Sequence, residues 1–119
     1  MKFIFKAKTP GGDVRLEYSN KKKQHSVTAY HKKTGKMVGY AYFVQGPDHL
    51  SADDRDGDNA SWVHPDHRGK GLANKMYDHV ERKSKKQIIP AEHRSGAGDK
   101  FWDKRAKHLP EDHPAHEFL

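Results

Sequence analysis

The chain has 119 residues, 33% of them charged, with a formal net charge of +7 and no cysteine, so disulfide scaffolds, thiolate-bound zinc and thiol catalysis are excluded. No apolar run approaches the roughly 20 residues of a membrane span, and the N-terminus lacks the apolar stretch of a signal peptide. We therefore expect a basic cytoplasmic protein that forms one domain over residues 1–119 and has no membrane partner.

The N-terminal part of the chain is predicted to form strands. Aromatic and apolar residues at 3–7 indicate a first strand, which ends at the Pro-Gly-Gly turn of residues 10–12. Apolar and charged residues alternate over 14–18, which is the period of a half-buried strand. The polar run at 19–23 is expected to end this second strand.

A hairpin is predicted next, with strands at residues 27–30 and 37–44 around a Gly-containing turn at 32–35. Its second strand is apolar on both faces, which favours a central position with cover on both sides. Residues 45–58 are rich in Gly, Pro and Asp and are predicted to be a loop. A short strand is expected at 59–63, where Pro65 follows.

The C-terminal part is predicted to form two helices. The spacing turns helical from Gly69 to about residue 86. The apolar positions that repeat on one face are Leu72, Met76 and Val80, with Ala73 and Tyr77 beside them. A short buried strand is expected at 87–90, and a last helix at 99–108 carries Phe101 and Trp102 inward. Residues 109–119 are predicted to be an irregular acidic tail, so the fold class is α/β (α+β).

Charge is distributed in blocks. Two blocks are basic: residues 1–44 have ten Lys/Arg and two Asp/Glu, and residues 68–108 have twelve Lys/Arg and five Asp/Glu. Two blocks are acidic: residues 45–67 have one Lys/Arg and six Asp/Glu, and residues 109–119 have three Asp/Glu and no Lys/Arg. A basic surface can recruit nucleic acid, an anionic cofactor or an acidic protein. A solvated surface without any partner accounts for the pattern equally well.

The strongest chemical signal is the turn between the strand at 59–63 and the following helix. Gly69 and Gly71 allow a tight turn and leave its main-chain amides uncovered, while Arg68 and Lys70 add positive charge. Successive N–H groups at a helix N-terminus bind anions, which predicts a phosphate or pyrophosphate site. A glycine-rich turn without a ligand is an equally good interpretation of the spacing alone.

This run resembles the signature of the GNAT superfamily of N-acetyltransferases, which is Arg/Gln-x-x-Gly-x-Gly/Ala after a strand ending in Val-x-Pro. Arg68, Gly71 and Ala73 fill the three fixed places, and Val63 and Pro65 fill the strand end. The resemblance implies a mixed, mainly antiparallel sheet with a central amphipathic helix and a C-terminal helix. Short, truncated chains of this kind resemble members encoded by phages and mobile elements.

The resemblance implies that acetyl-CoA is the cosubstrate and that no metal is needed. It covers about residues 25–108 and is most specific across 59–82. Contacts to the pantetheine arm are implied at Trp62 and Val63. Contacts to the pyrophosphate are implied at Arg68, Gly69, Lys70, Gly71, Leu72 and Ala73.

The sequence departs from the family pattern in three places. No stretch before residue 25 accommodates the two helices that usually follow the first strand and help to bind the acceptor. The usual terminal hairpin is missing or replaced by the tail. Where many members carry a tyrosine that protonates the departing thiolate, this chain has Trp102, whose indole N–H donates a hydrogen bond but supplies no proton at neutral pH.

Four residues are candidates for the general base that such a transfer needs. Asp56 and Asp58 precede the strand at 59–63, a place where some members carry a carboxylate; burial would be required to raise their pKa toward neutrality. His64 and His67 follow the strand, and histidine is the residue type whose ordinary pKa is closest to neutral pH. Solvated loop carboxylates and exposed turn histidines are the corresponding structural interpretations.

Two functions follow. The first is an N-acetyltransferase for which the absent helices favour a macromolecular acceptor, a protein or a nucleic acid, over a small molecule. The second is a catalytically inactive binding module of the same fold, whose basic surface binds nucleic acid or a protein. The turn around Arg68 and Gly71 favours the enzyme, and Trp102 favours the inactive module. An edge strand of the sheet offers a surface for a homodimer.

Overall fold

A computed structural model of the chain describes residues 13–52, 60–91, 94 and 96–119. The predicted first strand at 3–7 and its turn at 10–12 lie outside these residues, as do Asp56 and Asp58. The described elements are the strands β1 (Val14–Lys21), β2 (Gln24–His31), β3 (Met37–Gln45), β4 (Leu50–Ala52) and β5 (Ser61–Val63), the α-helices α1 (Leu72–Ser84) and α2 (Gly96–Ala106), and short 3-10 helices at Pro65–His67 and Pro114–Phe118. Within these residues, no helix is long and apolar enough to cross a membrane.

The strands form one sheet in the order β1-β2-β3-β4, with β5 paired to β3 as well, and every one of these pairings is antiparallel. The predicted hairpin of β2 and β3 is confirmed. The predicted end of β1 at residues 19–23 is wrong, because β1 continues to Lys21. Lys22 and Lys23 alone make the turn, with positive φ angles of 52° and 67°, which two-residue hairpin turns require.

β4 and β5 occupy the same edge of β3, one after the other. Phe43 pairs with Ala52, whereas the N–H of the adjacent Tyr42 donates to the carbonyl of Ala60 at 2.7 Å. The adjacent residues Tyr42 and Phe43 of β3 therefore pair with residues that follow and precede, in the sequence, the acidic segment 53–59. The predicted loop at 45–58 is wrong over β4, which is too short to show a period and which buries Leu50 completely. The predicted strand at 59–63 is confirmed over Ser61–Val63.

Helix α1 packs on one face of β1, β2 and β3. Its buried residues are Leu72, Met76, Tyr77 and Val80, as predicted. Gly39 in β3 permits the close approach, since a Cβ at this position would lie 3.1 Å from the Trp62 carbonyl oxygen and 3.4 Å from Met76 Cε. The opposite face carries Tyr42, which is 40% exposed, so cover on both faces of β3 is not found within the described residues.

The C-terminal elements pack beside α1. Trp102 of α2 is buried, as predicted, and α2 begins at Gly96 rather than at residue 99. The predicted strand at 87–90 is reduced to one parallel bridge between Leu50 and Ile88. The predicted irregular tail contains the 3-10 helix Pro114–Phe118. It is not merely solvated, since His113 and Ala115 are buried.

Candidate cofactor site

The turn between β5 and α1 is fixed by local hydrogen bonds. His64 caps the 3-10 helix Pro65–His67, and its Nδ1 accepts from the N–H of Asp66 at 3.1 Å. Gly69 and Gly71 then take φ angles of 75° and 83°, in the left-handed region that favours glycine. The chain thereby reverses direction within a few residues and enters α1.

The N-terminus of α1 has no side-chain cap. Gly71 is the N-cap residue, and the first turn contains no acidic residue. The first helical hydrogen bond runs from the N–H of Lys75 to the carbonyl of Gly71 at 3.1 Å. The N–H groups of Leu72, Ala73 and Asn74 therefore have no partner within the helix, and with the helix dipole they create a local positive potential.

A cavity of about 500 Å³ lies in front of this helix end. It is lined by Val63, His67, Arg68, Gly69, Gly71, Leu72, Ala73, Asn74, Lys100, Phe101 and Lys104. Arg68, Lys100 and Lys104 supply three fixed positive charges, and no carboxylate stands among these lining residues. Of the eight residues predicted to contact the cofactor, six line the cavity, and Trp62 and Lys70 are outside its lining.

The edge of β5 that faces away from β3, which pairs with no other described strand, borders the same cavity. The bonds from Tyr42 N–H to the Ala60 carbonyl and from His64 N–H to the Val38 carbonyl place the even-numbered residues of this strand in the hydrogen-bonded pairs with β3. Ser61 and Val63 therefore direct their main-chain groups away from β3. The carbonyl of Val63 accepts a hydrogen bond from Arg68 Nε at 2.7 Å.

Trp62 takes the opposite orientation. Its main chain pairs with Tyr40 of β3, and its indole ring stacks on the Tyr40 ring with centroids 6.0 Å apart. Any main-chain contact along the free edge of β5 thus belongs to Ser61 and Val63. Strand alternation from Val63 would have indicated Ser61 from the sequence.

The two candidate histidines lie next to each other, with ring centroids 6.1 Å apart. His67 lines the cavity. His64 lies on the side of Trp62, whose ring centroid is 6.0 Å away. In a neutral imidazole one nitrogen is the acceptor; in His64 this is Nδ1, which the N–H of Asp66 occupies.

Trp102 packs into the core and is not among the residues that line the cavity. It is 4% exposed, and its ring contacts Tyr77 at 5.9 Å and lies 5.8 Å from the Arg105 guanidinium. Its neighbour Phe101 lines the cavity instead. Burial raises the pKa of Tyr77 to about 12, which the Arg105 charge partly offsets, so this phenol is a weak acid.

The contribution of α2 to the cavity was not predicted from the sequence. Lys100 and Lys104 stand one helical turn apart and face the cavity, a spacing visible in the sequence. Asn74 also lines the cavity, and its Oδ1 accepts from Arg105 at 2.9 Å. Arg105 is only 2% exposed and bonds Asp78 Oδ1 at 2.9 Å as well, so it ties α2 to the first turns of α1.

The profile of the acetyltransferase (GNAT) family matches residues 3–113, and the chain therefore belongs to this family. Among solved structures, the chain resembles the crystal structure of a ribosomal-protein-alanine N-acetyltransferase from Brucella melitensis biovar Abortus 2308, with a TM-score of 0.53 and 22% identity. The alignment covers 70% of this chain and 60% of that one, so less than two thirds of the neighbour is matched. This likeness establishes the shared fold. No curated protein sequence matches the chain.

Proposed function

We propose that this protein is an acetyl-CoA-dependent N-acetyltransferase that acetylates an amine of a macromolecular acceptor by direct attack in a ternary complex. The cavity at the start of α1 carries the proposal. There, three basic side chains surround helix N–H groups that have no helical partner, and no carboxylate is among the described lining residues. A pyrophosphate suits this environment, and members of this family use acetyl-CoA.

The turn has room for such a ligand. A Cβ added at Gly69 or Gly71 would meet no atom within 4 Å, so the space above the turn is open. The residues proposed to hold the pyrophosphate are Arg68, Gly69, Lys70, Gly71, Leu72 and Ala73, with Lys100 and Lys104 on the opposite wall. The main chain of Val63 and Ser61 is proposed to pair with the amide groups of pantetheine, and Trp62 to contribute at most through its ring.

Acetyl-CoA supplies an acetyl group activated as a thioester. In the transfer, the amine nitrogen bonds to the acetyl carbon, the carbon–sulfur bond breaks, and the amine loses one proton to a base. We propose Asp56 or Asp58 for this base and rank His64 after them, because its Nδ1 already accepts from the N–H of Asp66. In the sequence, both aspartates lie between β4 and β5.

The thiolate also needs a proton, and we propose that water supplies it. Trp102 is buried and is no acid. Tyr77 is buried against α2 with a pKa near 12. The loss of the tyrosine acid favours a second candidate, an inactive binding module that retains the cofactor site. The two differ in turnover and not in cofactor binding.

Calorimetric titration with acetyl-CoA tests the cofactor site through Gly71→Glu. A carboxylate at this position projects toward the proposed pyrophosphate, and like-charge contact should weaken binding about 100-fold or more. Gly35→Glu is the matched control. Gly35 has a φ of 74°, and a Cβ there also meets nothing within 4 Å, so this variant carries the same backbone strain at a residue that does not line the cavity.

The proposal predicts saturable binding by the wild-type chain and by Gly35→Glu, and its loss in folded Gly71→Glu. Equal binding by all three would refute the site, and no binding by any would refute the function. Once binding is established, Asp56→Asn and Asp58→Asn should lower turnover without changing the dissociation constant for acetyl-CoA. Binding without turnover on any amine-bearing protein or nucleic acid would instead support the inactive module.

A further inference from the structure

The face of the sheet opposite α1 carries a continuous row of rings. In spatial order, this aromatic row consists of Tyr42, Tyr40, Trp62 and His64, with successive centroids 5.2, 6.0 and 6.0 Å apart. His67 and His31 continue the ring contacts onto the α1 side, since His67 lines the cavity and His31 pairs with the buried Val14. Tyr42 is 40% exposed, and nearby Met37 is 46% exposed. The row crosses from β3 to β5 and ends at His64, and the proposed acetyl transfer uses none of its tyrosines.

The strands beneath this face are strongly basic. Residues 13–45 carry seven Lys/Arg against two acids. The N–H of Lys32 donates to the carbonyl of Asp13 at 2.9 Å, which continues the pairing with β1, so strand alternation puts Lys32 on the same face as Tyr30. Lys32 and the following Lys33 are both exposed. Arg15 adds a cation over the ring of Tyr30, 4.8 Å from its centroid.

We propose that this face binds single-stranded nucleic acid, with bases stacked on the rings of Tyr40, Tyr42 and Trp62 and phosphates held by Lys32 and Lys33. Exposed aromatic rings beside a run of cations are the combination that binds unpaired bases together with their backbone. Duplex bases are already stacked and offer no free ring face. The proposal goes beyond the acetyl transfer and does not depend on it.

Charge and ring stacking favour single-stranded nucleic acid over two other partners, a second copy of this face and an acidic peptide. Two copies of the face would bring their lysines together, and like charges repel. An acidic peptide would satisfy the lysines, but acidic side chains carry no aromatic ring to stack on Tyr40, Tyr42 and Trp62. The strand β2 spans about 24 Å at roughly 3.4 Å per residue, so the face accommodates a few nucleotides.

The test measures binding of fluorescently labelled oligouridylate and oligothymidylate by anisotropy, in the absence of acetyl-CoA. Tyr42→Ala should weaken binding about 5- to 100-fold, which is the range for losing one stacked base. Phe118→Ala is the matched control, because Phe118 is 48% exposed and belongs to the tail, and it should bind like the wild type. Comparing the two oligonucleotides shows whether RNA or DNA is preferred.

The phosphate contacts are tested by salt dependence. Lys32→Gln/Lys33→Gln should reduce the slope of log K against log salt by roughly 1 to 2. Arg82→Gln/Lys83→Gln, an exposed pair on α1, should leave this slope unchanged. No binding at low salt, equal losses in Tyr42→Ala and Phe118→Ala, or a dimer that buries Tyr42 would each overturn the proposal, while the acetyl-CoA titration stands separately.

Discussion

The two ends of α1 share a left-handed backbone conformation but differ in whether protein groups bond their main-chain atoms. Each has a residue in the left-handed region, Gly71 with φ 83° before the helix and Lys85 with φ 60° after it. At the first end, no side chain caps the helix, and the N–H groups open into a cation-lined cavity. At the last end, the N–H of Lys85 closes onto the carbonyl of Glu81 at 2.9 Å.

The side chain of Glu81 completes the closed end. One carboxylate oxygen accepts from the N–H of Ile88 and contacts His113 Nε2, both at 2.8 Å, and the other lies 3.4 Å from Arg105. A single carboxylate thus joins α1 to α2, to the bridge beside β4 and to the tail. At the C-terminal end of α1, protein groups form the hydrogen bonds. At the N-terminal end, where we propose that a ligand binds, the N–H donors stay available.

The largest effect on stability should come from Glu81→Ala. It leaves the buried Arg105 guanidinium with one fewer counter-charge and the Ile88 N–H without its acceptor, so we expect a loss of about 3–5 kcal/mol in urea unfolding. Asp78→Ala is the control. Asp78 also bonds the buried Arg105, at 2.9 Å, but its carboxylate is 52% exposed and makes no other hydrogen bond or ion pair within the described residues, so its removal should cost less, about 1–3 kcal/mol. Equal losses would contradict the special role of Glu81.

Tyr77, midway along α1, should make folding sensitive to alkali. The unfolded phenol loses its proton near pH 10, whereas burial holds the folded pKa at about 12. The folded state therefore binds more protons in this window, and stability should fall by about 3 kcal/mol as the pH rises through it. In Tyr77→Phe, the unfolding free energy should fall less between pH 10 and pH 12 than it does in the wild type. An equal fall in both proteins would mean that other groups cause the loss of stability at alkaline pH.

The left-handed residues give opposite predictions for the two ends. Gly71→Ala should destabilise the protein by about 1 kcal/mol, since a Cβ there meets no atom but an L-residue resists this conformation. Lys85→Gly should stabilise it by about 1 kcal/mol, because glycine is the preferred residue after a helix. Thermal unfolding measures both. Changes in melting temperature of the same sign in both variants would mean that Gly71 and Lys85 are not under equivalent backbone strain.

The smallest effect concerns His79. Partial burial, together with the charges of Arg82 and Lys83, lowers the pKa of His79 below its usual 6.5. The unfolded imidazole binds a proton at a higher pH than the folded one, so this contribution to stability is present above pH 6.5 and is lost as the pH falls. His79→Gln should show a smaller drop in melting temperature on mild acidification than the wild type. An equal drop in melting temperature in both proteins would mean that groups other than His79 cause the loss of stability on acidification.

Much of the scaffold is visible in the sequence because it depends on local periodicity. The alternation at 14–18, the repeat of Leu72, Met76 and Val80, and the glycines of the turn at 69–71 each predict the element that is found. β4 was hidden because three residues show no period and its pairing with β3 is non-local. The burial of His113 was hidden for a similar reason, since Glu81, its partner at 2.8 Å, lies 32 residues away.

The candidate site divides in the same way. Arg68, Gly69 and Gly71 are adjacent in the sequence, and a motif reveals them together. Lys100 and Lys104 reach the same cavity only through the packing of α2 against α1, which the ring contacts of Tyr77 with Phe101 and Trp102 maintain. The general base, proposed at Asp56 or Asp58, depends on burial that composition does not report.

The most direct test of the central claim follows main-chain amide resonances while acetyl-CoA is titrated into the protein. If acetyl-CoA binds at the start of α1, the resonances of residues 69–74 will shift together and saturate with one dissociation constant, with smaller shifts at Lys100 and Lys104. Residues 81–88 at the closed end of α1 should remain nearly unmoved. Shifts concentrated at the closed end, or none that saturate, would contradict the assignment of the uncapped helix N-terminus as the cofactor site.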